Sequence, residues 1–133
     1  MIEKEFVPYE EALALKELGF DEPCLFYYYG SNDLQSLIQI DMPRLVNHNE
    51  SILGTCYSAP TYSQAFRWIR EKYNFLHHIN WVYKKTEGIQ WFFDIKGIDM
   101  TNNNILPHSE IRFEEYEEAE LACLRKLIEI AKD

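Results

Sequence analysis

Four histidines, three cysteines and a run of glutamates are the residues of this 133-residue sequence with chemical potential. Their spacing decides how much chemistry to expect. His77 and His78 are adjacent, and neighbours on a strand point to opposite faces, so the pair cannot easily share one metal ion. His48 and His108 stand alone. Only a gathering in space with Asp94 or Asp99 would complete a ligand set, and no sequence spacing supports one, so neither a metal nor a cofactor is expected. Cys24, Cys56 and Cys123 are far apart, odd in number and without a CxxC pair. They read as small core residues of a reducing compartment. Ser58, Ser63 and Cys56 fall near a strand-to-helix junction, where a nucleophile could be exposed. No GxSxG elbow is present, however, and Ser63 fits a first helical turn equally well. The five glycines never cluster, so no phosphate cradle is expected.

Two further candidates come from helical geometry. Glu120 falls among Tyr116, Cys123, Leu127 and Ala131 on a helical wheel, inside an apolar arc. A carboxylate there must pair, shift its pKa upward or reach past the edge of the core. The functional reading is a partly buried acid paired with Arg67 or Arg70. The plainer one is a helix whose first turns overhang a sheet, with a side chain long enough to find water. Trp68 lies off the centre of its helix face, with Arg67 and Arg70 beside it in sequence. A Trp and Arg on one rim has the composition of an interface hot spot. The plainer reading packs Trp68 at the border of the core. The glutamates Glu110, Glu114, Glu115, Glu117, Glu118 and Glu120 could mimic DNA phosphates, although most charge runs are solvated helix faces.

These residues need elements to position them. A helix is predicted from about Pro8 to Leu18, with Pro8 at its first position, Glu10 and Glu11 in its first turn, and Gly19 as a left-handed cap. Phe20 is placed to fold back on Leu15. Strands are predicted over Cys24–Tyr29, Leu34–Ile40 and Ile52–Tyr57, with a polar loop from Asp41 to Ser51. Thr61 and Gln64 have capping-box spacing. Tyr62, Phe66, Ile69 and Tyr73 then recur on one helix face, and Asn74 ends it. Ile79, Trp81 and Tyr83 alternate, as do Trp91, Phe93 and Ile95, around a turn at Thr86–Gly88, which predicts a half-buried hairpin. Asp99 to Asn104 is a polar loop. A final helix runs from about Glu114 to Ala131. Its apolar arc spans roughly 200°, wider than one packing surface needs.

The bulk properties exclude several classes. Apolar residues make up 47% of the chain and aromatic residues 15%, too many for a disordered segment. The formal net charge of −9 disfavours direct nucleic-acid binding and favours basic partners. MIEKEF is no secretory signal, and no apolar run approaches the ~18 residues of a membrane span.

PYEEALALKELGFDEPC (Pro8 to Cys24), APTYSQAFRWIREKY (Ala59 to Tyr73) and YEEAELACLRKLIEI (Tyr116 to Ile130) together resemble a family of small uncharacterised proteins encoded by bacteriophages and related mobile elements. The resemblance carries over no catalytic residues; it implies an accessory protein acting in the host cytoplasm. The expectation is therefore a single α+β domain over residues 1–133, a small antiparallel sheet with about three helices mainly on one face. Its expected work is as a cytoplasmic protein-binding module, homodimeric, with an unidentified host or phage protein as partner. Trp68, Arg67, Arg70 and Glu120 are its candidate binding residues. The alternatives are a small hydrolase acting on a nucleotide or modified base, and an acidic decoy that mimics DNA.

Overall fold

A computed structural model describes residues 2–29, 34–36, 46–50, 56–97, 105–108 and 111–133. The fold is α+β. The described helices and strands run α1 (Tyr9–Glu17), β1 (Phe26–Tyr29), β2 (Leu34–Ser36), β3 (Cys56–Ser58), α2 (Tyr62–Tyr73), β4 (Phe75–Lys84), β5 (Gly88–Gly97), β6 (Ile105–His108) and α3 (Tyr116–Lys132), with single 3-10 turns at Ile2–Glu5 and His48–Glu50. The predicted loop at Asp99–Asn104, most of that at Asp41–Ser51, and parts of the predicted strands at Leu34–Ile40 and Ile52–Tyr57 lie outside the described residues. The strands form two antiparallel sheets, ordered β2-β1-β3 and β4-β5-β6, rather than one. The chain divides into two compact units, Met1–Ala65 and Phe66–Asp133. That boundary falls inside α2, so no linker composition could announce it.

In the first unit α1 packs on β3. Pro8 sits at the N-cap, one position earlier than predicted, with extended backbone. The end of α1 follows the sequence closely. Gly19 has φ +96. Its N–H bonds to the Lys16 carbonyl at 3.0 Å, and the Phe20 N–H to the Leu15 carbonyl at 2.9 Å. These are the two bonds of a Schellman cap, and Phe20 and Leu15 are both buried, as the accompanying apolar contact requires. β1 is the central strand, with Tyr28 opposite Leu34 on one side and Tyr57 on the other. The Tyr28 hydroxyl donates to the Val7 carbonyl at 2.8 Å, which satisfies the one polar atom of a buried ring.

The second unit is built on the hairpin of β4 and β5. Their register is uninterrupted from Phe75 opposite Gly97 to Lys84 opposite Gly88. The Glu87 N–H closes the turn on the Lys84 carbonyl at 3.1 Å. The chain leaves the turn through Gly88 at φ +76, which suits glycine. Residues opposite one another share a face. His77, Ile79, Trp81 and Tyr83 therefore line one side with Ile95, Phe93, Trp91 and Ile89. α3 packs on β5 and β4. Its Tyr116 ring meets Trp91 edge-on at 5.2 Å, and Phe66 of α2 stacks on His77 at 3.8 Å. Both helices thus lie on the same face of the hairpin. Cys123, Leu124, Leu127 and Ile128 are buried there, as the predicted stripe requires, joined by Ala119.

Candidate functional site

Of the four predicted binding residues, Trp68 is the one whose environment departs most from the hot-spot reading. It is 6% exposed, buried rather than on a rim. Its ring meets Tyr73 edge-on at 6.0 Å and carries the Lys72 ammonium 4.8 Å from its centroid. Trp68 and Lys72 are four residues apart, so one helical turn brings the lysine stem over the ring. Arg67 and Arg70 are exposed. Arg70 is close enough to His77 to disfavour its protonation. Glu120 is half-buried; burial, and then the charge of Glu120 and its hydrogen bond from the Tyr116 hydroxyl one turn earlier, raise the Tyr116 pKa.

The nucleophile candidates are placed for structure. Ser58 is buried, and its Oγ accepts the backbone N–H of His48 at 3.0 Å. The His48 ring turns instead to the Cys24 carbonyl, with Nε2 at 2.9 Å. A carbonyl only accepts, so Nε2 carries the proton and is not a base for Ser58. Burial also lowers the His48 pKa. It pushes the thiols of Cys24 and Cys123 up to about 12, far from a reactive thiolate. Ser63 lies exposed in the first turn of α2. His77 and His78 do point to opposite faces: His77 stacks under Phe66, while His78 is exposed opposite Asp94. Among the described residues no group of three His, Cys, Asp or Glu could hold a metal ion, and no helix is long and apolar enough to cross a membrane.

Two surface features of the second unit stand out. One is a groove of about 420 Å³ lined by Phe93, Ile111, Phe113, Ala122, Arg125, Lys126 and Glu129. Its walls are largely apolar, and Lys126 pairs with Glu129 at 3.3 Å. The 111–113 segment, which the sequence did not mark, forms this groove with Ala122, Arg125, Lys126 and Glu129 of α3, which lie off the predicted apolar arc. None of the groove's lining residues is Glu120, a histidine, Arg67 or Arg70.

The other is the far end of the hairpin. Trp81, Tyr83 and Ile89 are 63%, 62% and 52% exposed, all on the face that the helices cover nearer its base. Alternation marks these positions as one face. It cannot say where the covering helices stop, which is why the sequence pointed to Trp68 instead. Beside this overhang, α3 begins with exposed Glu117 and Glu118, preceded by exposed Glu114 and Glu115. Glu110 lies outside the described residues. No family model, no curated protein and no solved structure matches this chain.

Proposed function

We propose that this chain is a protein-binding module that works by contact, with the overhanging end of its hairpin as the contact surface. The observation that carries this is the side-by-side exposure of Trp81, Tyr83 and Ile89 on one rigid face. Large aromatic residues held on a sheet offer contact area at little entropic cost, and they are enriched among binding hot spots. The glutamates at the start of α3 give the surface an acidic border around its apolar centre. The resemblance of three stretches to small phage-encoded proteins supports an accessory role in the host cytoplasm, and the buried thiols fit a reducing compartment.

A photo-crosslinking amino acid at position 83 tests the surface directly, with position 78 on the opposite face as control. The expected outcome is adduct formation at 83 that Trp81→Ser removes. Equal adduct yield at both positions overturns the assignment.

A further inference from the structure

The overhang has a second property, which lies in the backbone. Trp91 exchanges both of its main-chain bonds with Phe113, each at 2.8 Å. In an antiparallel ladder a residue turns its N–H and C=O to the same side, and the side alternates along the strand. Trp91 therefore faces away from β4. Its partner Trp81 occupies a non-hydrogen-bonded pair, with its own N–H and C=O directed off the outer edge of the sheet. The unbroken register extends this to His77, Ile79 and Tyr83. Among the described residues β4 pairs with β5 and with no other strand.

Edges of this kind are usually blunted by proline, inward charges or short length. In the first unit the edge strands β2 and β3 are each 3 residues long. β4 has 10 residues, FLHHINWVYK, with no proline and no carboxylate, and its lysine comes last.

We infer that a second copy of this chain docks along β4, antiparallel, about a two-fold axis at Asn80. The inference rests on the contact reading above and names its partner. Pairing about Asn80 sets the outward-directed groups of the two copies opposite one another. It sets Ile79 opposite Trp81 of the partner subunit, and His77 opposite Tyr83 of the partner subunit. Every outward N–H and C=O of His77, Ile79, Trp81 and Tyr83 then finds a bond, and the most exposed aromatics gain apolar or aromatic neighbours on the same face. Charge agrees. Each copy carries −9 overall, yet the paired edge holds no acid, and Lys84 falls beside Leu76 of the partner subunit. The contact is isologous and closes on itself, leaving no free β4 edge.

The test uses the full chain. Sedimentation velocity should find twice the monomer mass. Trp81→Pro removes a donor directed off the edge while leaving the β4–β5 bonds in place. It should weaken association at least about tenfold, the loss of one buried hydrogen-bonded contact. Asn80→Cys should form an intermolecular disulfide on oxidation, because a non-hydrogen-bonded pair brings its Cα atoms to ~4.5 Å. Leu76→Cys and Lys84→Cys should each fail to cross-link alone and should cross-link when mixed. A monomeric wild type at every concentration overturns the inference, as does self-cross-linking of Leu76→Cys without that of Asn80→Cys. If the wild type is monomeric while position 83 still captures another protein, the binding reading survives and only the second copy is excluded.

Discussion

His77 stacks on Phe66 in a half-buried position, where burial, Arg70 and His78 together lower its pKa to about 4. The ordinary value is 6.5, so a proton prefers the unfolded chain. The stability from this site is complete above pH about 6.5 and drains away as the pH falls toward about 4. With allowance for the ring's partial contact with water, the loss is on the order of 1–2 kcal/mol. The urea midpoint should therefore fall between pH ~7.5 and ~4.5, and His77→Phe, which keeps the stack, should flatten part of that fall. His48 adds to the slope in the same direction, because burial lowers its pKa as well. Thiol chemistry divides similarly. Cys24 and Cys123 are buried and Cys56 is half-buried, so a disulfide reagent should label Cys56 first and the others only as the chain opens. At this scale, local partners were legible and distant ones were not. The Gln64 N–H does bond Thr61 Oγ1 at 3.2 Å, as its spacing implies. The Gln64 side chain, predicted to reach back to its own helix start, goes instead to Glu22 and the Pro23 carbonyl. Nothing within a few residues of Gln64 could show that this turn would lie beside it.

The helix ends are written in single residues with special backbone needs. Gly19 at φ +96 and Asn74 at φ +59 both sit where a side chain is strained. Gly19→Ala should cost about 1 kcal/mol, and Asn74→Gly should be neutral or slightly stabilising, both read from denaturation midpoints. Leu124 is fully buried on α3, and Leu124→Ala should cost about 2–5 kcal/mol. Helices and hairpin were legible because their signals are local: caps, a 3.6-residue stripe, and alternation around a turn. Strand partners were less so. β1 pairs with β3 across a long stretch of chain, Tyr28 opposite Tyr57, and neither short aromatic run carries a register mark. The division into two sheets follows from those pairings, and so it too escaped the sequence.

Charge acts on the molecule as a whole. Each copy carries −9, while the β4 edge is free of carboxylates and has Lys84 at its end, so repulsion between copies is long-ranged and does not arise at the contact. Self-association should therefore tighten as salt rises and the repulsion is screened; a constant that weakens with salt would point to ion pairs across the contact instead. The three tryptophans, Trp68, Trp81 and Trp91, all lie in the second unit and occupy three environments. Trp68 is buried beneath a lysine, Trp91 is half-covered by Tyr116, and Trp81 stands mostly in water. Trp81 should dominate the red edge of the emission spectrum and be the one that a soluble quencher reaches. Anything that settles on the hairpin should shift that emission to the blue and shield it. The chain thus carries, without any label, an optical gauge of whether its own edge is occupied.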